Sequence, residues 1–436
     1  MKINKPKNEN YAAIVVQIKT IVPLENCDNV HAAIILGNQV IVDKSVKVGD
    51  IGLYFPLETQ LSQQYLSNNN LYRKPELNVN PENKGYFEEN GRIRCVKFRG
   101  NKSEGLFMPI ESICFISNPP VELNLNDTFD ELNGVPICTK YVVKQNKTPG
   151  QPGTGKKGKG KIARENKLIE NQFRFHDDTS MLYKNLHKIK PNDLISVTYK
   201  MHGTSGISSK VLCKRPLKWY EKFLIKLGVK VVNTEYDYIY SSRKVIKNPD
   251  LNPNAQHYYN EDIWGIAHNE VKDFLQAGMT LYYEIVGYLP SGAEIQKGYD
   301  YGCKPKEHEI RIYRITYTNP EGKVFEFSAK QVQDWCHYKG LKAVPQLYYG
   351  FAKDLGKHAN LLHLDKPWDS EKFLDLIKTK YNEKDCYICK NKVPEEGCVI
   401  RVEQENFEAF KQKSNRFYEL ETKQLDKGES NIEDEN

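Results

Sequence analysis

The sequence predicts an α+β protein in which a small N-terminal β-barrel precedes a larger strand-rich region. Three observations carry that expectation. Residues 11–145 hold several short alternating segments at barrel spacing. A Gly-, Pro- and Lys-rich stretch then breaks every pattern. Beyond it, apolar strands recur with charged residues at their ends or singly within them. At 436 residues, the length favours two or more domains.

Tyr11 to Ile18 reads as the first strand. Ala33 to Leu36 and Val40 to Val42 flank Gly37-Asn38-Gln39, a three-residue hairpin signal. Val48-Gly49-Asp50 then turns into the strand Ile51 to Phe55. From Arg92 to Gly100, basic residues interleave with apolar ones. On a strand, Arg92 and Arg94 share one face, and Lys97 and Arg99 share a face after a change of phase. These four define a basic surface that is either a solvated barrel face or a grip for a polyanion.

The net charge of +7 is localised. Residues 144–167 hold eight Lys or Arg and one acid, which accounts for all of it. Thr148 to Gly155 followed by Lys156-Lys157-Gly158-Lys159-Gly160-Lys161 is low-complexity, so residues 146–167 are expected to form a basic flexible linker. Residues 421–436 carry six acids, two lysines and no apolar pattern, and an acidic disordered tail is expected at 426–436. Hydrophobic residues at 39% and charged ones at 27% suit a globular protein. There is no run of 18 apolar residues and no h-region after Met1, so neither a membrane partner nor secretion is expected; a cytoplasmic monomer is. Ten cysteines without framework spacing read as reduced thiols. Cys386-x-x-Cys389 with Cys398 has partial zinc spacing, but lacks a matched second pair, and buried free thiols are the favoured reading.

The most informative stretch is Lys200-Met201-His202-Gly203, set directly after the alternating segment Leu194 to Tyr199. A lysine ending a strand is rigidly held, and a deprotonated lysine amine is a nucleophile. The glycine permits close backbone approach to a phosphate or sugar. Downstream, Tyr240-Ser241-Ser242-Arg243 follows a strand-like run. Leu281 to Gly287 is a buried-type strand interrupted by Glu284, a charge that is costly there unless it binds something. Arg311 to Tyr317 offers aromatic faces for stacking, Tyr313 among them. Glu395-Glu396-Gly397 precedes an apolar strand, and Lys411 and Lys413 point the same way from an extended segment.

In order, these segments resemble motifs I, Ia, III, IIIa, IV and V of the ATP-dependent RNA ligases, within the covalent nucleotidyltransferase superfamily. Lys200 matches the adenylated lysine, Arg243 the motif Ia arginine, Glu284 the motif III glutamate and Tyr313 the adenine-stacking aromatic. Glu396 matches the motif IV glutamate, and Lys411 and Lys413 the motif V pair. Arg314 departs from the family, which usually has an acid there. The N-terminal segments resemble the OB-type module that precedes the catalytic domain in one RNA ligase family. Phe175 to Thr179 resembles the start of that family's catalytic domain, with no role assigned to His176.

The resemblance implies an OB-like nucleic-acid-binding barrel at 1–145 and a nucleotidyltransferase domain at 168–425, with ATP-grasp-like antiparallel sheets and flanking helices. It implies that Lys200 attacks ATP to form lysyl–AMP, that AMP passes to an RNA 5′-phosphate, and that a 3′-hydroxyl then attacks, at RNA ends or nicks in duplex during RNA repair. A nucleotide pocket of Lys200, Gly203, Arg243, Glu284, Tyr313, Glu396, Lys411 and Lys413 follows. A lysine with an ordinary pKa of about 10.4 needs nearby cations or burial to attack. Lys411, Lys413 and Arg243 are candidates, and they would also neutralise the triphosphate. Glu284 and Glu396 suit Mg²⁺ or Mn²⁺, ribose hydroxyls or orientation of the lysine, and the sequence does not divide these roles. Arg92, Arg94, Lys97 and Arg99 become the expected RNA grip. The rivals are a DNA ligase, an mRNA-capping guanylyltransferase, or a non-catalytic nucleic-acid-binding protein. The first two more often carry Asp than His in the nucleophile motif, with the barrel after the catalytic domain.

Overall fold

The computed structural model describes residues 3–116, 122–143, 167–176, 178–252, 259, 261–356 and 368–428. Most of the expected linker and tail lies outside these residues. The N-terminal region is built on a four-stranded antiparallel sheet in the order Thr128–Phe129, Ala13–Gln17, Ile51–Phe55, Leu106–Pro109. A three-stranded sheet, Thr20–Val22, Val30–Ile35 and Asn38–Asp43, packs beside it. The hairpin is tighter than the sequence suggests. Leu36 and Gly37, both at positive φ, form a two-residue turn, and Asn38 already pairs with Ile35. Two positive-φ residues give the primed turn whose twist matches the flanking strands.

The larger region consists of two five-stranded sheets. The first runs Ser180–Met181, Glu408–Lys413, Gly397–Val402, Leu194–Lys200, Gln346–Phe351 and is antiparallel except at Ser180–Met181. The second is antiparallel throughout, in the order Thr234–Ser242, Thr204–Lys214, Met279–Gly287, His308–Thr318, Val324–Glu326. Helices Ile263–Val271 and Ala329–Lys339 pack on the second sheet, burying Trp264, Val271, Val332 and Cys336. Antiparallel sheets with helices packed against them thus give the expected α+β class.

The barrel and the first five-stranded sheet share one core. Ile14, Val16, Ile35, Val40 and Val42 pack in the same cluster as Leu182, Ile195, Val197, Phe373 and Phe410. The barrel interior proper, with Val15, Leu53, Phe55, Tyr65 and Phe129, is a second cluster. The final helix, Asn415–Asp426, also docks on the barrel, so residues 421–426 are folded and not tail. Its acids take up the basic residues expected to grip RNA. Arg92 is 4% exposed, with Glu58 on its Nε at 2.7 Å and on its Nη2 at 2.8 Å, and Asp426 on its Nη1 at 2.8 Å. It is a structural residue, because desolvating a guanidinium requires this paired arrangement. Arg94 lies 3.7 Å from Asp426, and Lys97 and Lys102 both meet Glu419. Arg99, at positive φ, donates to the Asn26 carbonyl. The predicted strand over residues 92–99 shrinks to Val96–Phe98.

Candidate active site

The strand Leu194–Lys200 belongs to the first sheet and Thr204–Lys214 to the second, so Met201-His202-Gly203 carries the chain between sheets. Lys200 therefore stands where the two sheets meet. Gly203 is required for a close approach within the protein itself. A Cβ there would fall 2.2 Å from the Ile285 carbonyl oxygen, and its N–H donates to Glu284 Oε1 at 3.1 Å. That contact also explains the lone carboxylate in Met279–Gly287, a strand buried at every other position.

Lys200 Nζ donates to Glu396 Oε1 at 2.5 Å. Glu396 is buried, and Lys413 Nζ lies 3.9 Å from the same oxygen. Gly397 makes this possible. It pairs with both Lys200 and Lys413, at φ +142, and a Cβ would lie 2.1 Å from the Gln412 carbonyl oxygen. Lys413 donates to both oxygens of Glu421, at 3.1 and 3.3 Å. His202 is sandwiched edge-on between Tyr299 and Phe417, and its N–H donates to the Tyr301 hydroxyl at 2.6 Å. These contacts fix the turn after Lys200.

One cavity is lined by Lys200, Gly203, Arg243, Glu284, Tyr313 and Lys411, six of the residues that sequence reasoning selected. Glu396 touches it through Lys200. Lys413 lies behind, among Glu396 and Glu421. Arg243 pairs with Asp178 at the rim. Tyr313 is placed by a β-bulge: Tyr282 pairs with Arg314 and Tyr283 with Ile312, which leaves Tyr313 as the extra residue. Bulges re-aim a side chain, and here the ring enters the cavity, its hydroxyl 3.3 Å from Ser205 Oγ.

His176, Arg401 and Phe407 also line the cavity and were not selected. His176 meets the Tyr313 ring edge-on, with centroids 5.2 Å apart, and its Nδ1 lies 3.2 Å from Arg314 Nη1. Burial, then the charges of Arg314, Arg243 and Lys411, hold this imidazole well below its ordinary pKa, so it is neutral and accepts from Arg314. Arg314 in turn pairs with both oxygens of Glu326 and lies over Tyr282 and Phe407. The departure from the family pattern thus has a partner set of its own. Arg401 is buried against the cavity. Its Nη2 donates to the Phe327 carbonyl at 2.6 Å, while Nη1 has no hydrogen-bond partner among the described residues. Alternation from Val399 could have flagged it, whereas His176 and Phe407 come from loops that carry no periodic signal.

No cluster of three or more His, Cys, Asp or Glu suited to a metal occurs among the described residues. The cavity is lined by one carboxylate, Glu284, with Glu396 behind Lys200, which fits a hydrated divalent ion that also uses phosphate oxygens better than a closed protein cage. Cys386, Cys389 and Cys398 are free thiols.

Residues 12–110 match the family described as an OB-fold domain. Over nearly the whole length, the structure is similar to Naegleria gruberi RNA ligase. A variant of that ligase solved with AMP and Mn shares 17% identity over 94% of this chain and 98% of that one, at a TM-score of 0.56. Another with ATP and Mn shares 16% over 94% and 98%, at 0.55. The same ligase solved with PPi shares 16% over 95% and 99%, at 0.55. The chain has the fold of that RNA ligase. Comparison of its sequence with curated proteins gives no match. At this identity the likeness is one of fold, and the chemistry has to be argued from the cavity.

Proposed function

We propose that the chain is an ATP-dependent RNA ligase that joins 3′-hydroxyl and 5′-phosphate ends through a lysyl–AMP on Lys200. The observation that carries this reading is the convergence of Lys200, Arg243, Glu284, Tyr313 and Lys411 on one cavity at the junction of two antiparallel sheets, from segments far apart in sequence. A solvated lysine at a turn would need none of these neighbours.

The roles follow from position. Glu396 holds the Lys200 amine in place, and as its hydrogen-bond acceptor is the group able to take a proton from it. Tyr313, braced by His176, offers its ring to the adenine. Lys411 and Arg243 line the same space and are placed to neutralise phosphate charge during transfer. Glu284 and Glu396 are the carboxylates that would hold Mg²⁺ or Mn²⁺, which when bound supplies further charge to the phosphates. Every step is nucleotidyl transfer, so positioning and electrostatics dominate.

Incubation with ATP labelled at the α-phosphate tests the reading. Label retained by the denatured wild-type protein and lost in Lys200→Ala is the expected result. Labelling by GTP in place of ATP would indicate a capping enzyme, and no labelling a binding protein. Sealing of a nicked RNA duplex, compared with nicked DNA, then tests the substrate and the RNA-repair reading.

A further inference from the structure

The far tip of the second sheet carries a surface that the chemistry above does not use. The Thr204–Lys214 strand leads away from the nucleophile, its eleven residues spanning about 33 Å. Before the chain returns along Thr234–Ser242, it forms the helix Trp219–Lys226. Trp219, Phe223 and Leu227 repeat at intervals of four and share one face, which Tyr220 and Leu224 widen. That face is turned to solvent: Trp219 is 82% exposed, Phe223 58% and Leu227 64%. None of these residues joins a hydrophobic cluster among the described residues. Val229 and Val232 continue the exposed apolar surface beyond the helix.

The tip is also strongly basic. Lys214, Arg215, Lys218, Lys222, Lys226 and Lys230 stand against one acid, Glu221, between residues 214 and 232. Glu221 is engaged internally. It pairs with Arg215 and accepts from the Lys218 N–H at 2.7 Å, which pins the first turn of the helix. A net positive charge therefore surrounds an apolar stripe.

We propose that this tip is a membrane-surface anchor that lays the Trp219–Lys226 helix into the interface of an anionic bilayer. The charge is complementary to acidic headgroups, and clusters of four to eight basic residues are attracted to them. Tryptophan and tyrosine favour the headgroup level, while lysine stems reach outward from an apolar face. Eight residues are too few to span a bilayer, so the helix lies in the plane. This runs against the expectation of no membrane partner, which rested on the absence of a run of 18 apolar residues and took no account of a helix lying in the interface. Single-stranded RNA fits less well. Bases stack on aromatic rings, but Leu224, Ile225, Leu227, Val229 and Val232 present no π-face and gain only from an apolar phase. A second copy of the chain would oppose one lysine-rich tip to another.

Co-sedimentation of the full chain with phosphatidylcholine vesicles, with and without phosphatidylserine, tests the anchor. Binding is expected only with phosphatidylserine present and should weaken as salt rises. The triple variant Trp219→Ala, Phe223→Ala, Leu227→Ala should partition at least about tenfold less, because three apolar side chains no longer enter the bilayer. Its melting temperature should match wild type, since these side chains pack on no core. Failure of the intact chain to bind, or equal binding by the triple variant, overturns the proposal. So does a triple variant that loses affinity for nicked RNA while the wild type ignores vesicles, or one that converts a dimer to a monomer. Those two results assign the tip to RNA or to self-association.

Discussion

Lys200, Glu396, Lys413 and Glu421 form a buried chain of alternating charge, and its members differ in what their loss does. Both lysines are buried, but Lys411 lines the cavity, whereas Lys413 stands behind it between Glu396 and Glu421. Lys411→Ala should therefore lower adduct formation with a smaller loss of stability than Lys413→Ala causes. Lys413→Ala should lower both, by about 3–5 kcal/mol for stability, because Glu396 and Glu421 lose a buried counter-charge. Urea midpoints measured beside adduct yields separate the two, and equal stability loss in both variants would contradict the packing described. His176 gives a pH dependence. Its folded pKa lies below the ordinary value of 6.5, so below that pH the unfolded chain binds a proton that the folded chain refuses. Stability is fully present above about 6.5 and falls as pH drops from there. His176→Gln should flatten that slope between about pH 7 and pH 5, read as denaturant midpoints. An identical slope in the variant would mean that other groups carry it. At this scale Lys200, Glu284 and Glu396 stood out in the sequence, because few residue types suit the proposed chemistry, and the structure brings Lys200 and Glu396 into contact and Lys200 and Glu284 onto one cavity. Sequence reasoning misplaced Arg92, since a guanidinium that is paired and buried looks the same in sequence as one in solvent.

Strand positions were legible where burial shapes the pattern: Leu194–Lys200 alternates in part, and Met279–Gly287, buried on both faces, reads as a near-continuous apolar run broken by Glu284. The irregular features were not. The Tyr313 bulge comes from a mismatch in register between two strands, and neither strand alone contains it. The turn at Leu36-Gly37 was displaced by one step, because Gly37-Asn38-Gln39 carries the stronger turn composition. Gly397 is an irregular feature with a sharp consequence. Its φ of +142 and the 2.1 Å approach of a Cβ to the Gln412 carbonyl oxygen leave no room for a side chain. Gly397→Ala should push Gly397–Val402 from Glu408–Lys413, destabilise the protein by about 1–3 kcal/mol, and draw Glu396 away from Lys200. Adduct formation should fall more than ATP binding does, since the cavity walls from the second sheet are untouched. Parallel losses of binding and adduct would place the glycine's role in folding alone.

In the sequence a low-complexity stretch stands between the barrel and the larger region, and a linker of that kind usually joins units with their own cores. The structure joins them more tightly. Helix Ser370–Tyr381 buries Phe373, Leu374 and Ile377 in the cluster that holds Ile35, Val40 and Val42. Lys378 donates to the Gly37 carbonyl, and Lys184 to those of Glu9 and Ala12, the latter at 2.7 and 2.9 Å. The last helix completes the clasp through Glu419 and Asp426 on the barrel's basic residues. Such a shared core is invisible in sequence, because an apolar strand facing another domain has the same pattern as one facing its own. The consequence is specific. All residues lining the cavity lie between His176 and Lys411, yet a fragment of residues 168–436 should not hold it. Removing residues 1–145 exposes Leu182, Ile195, Val197 and Phe410 and strands the carbonyl-seeking Lys184 amine. The fragment should be insoluble or fail to take up label from ATP, and co-expression with residues 1–145 as a separate chain should restore both solubility and label. A soluble fragment that labels on Lys200 as well as the intact protein would mean that the barrel is dispensable to the fold and that the contacts with it are incidental.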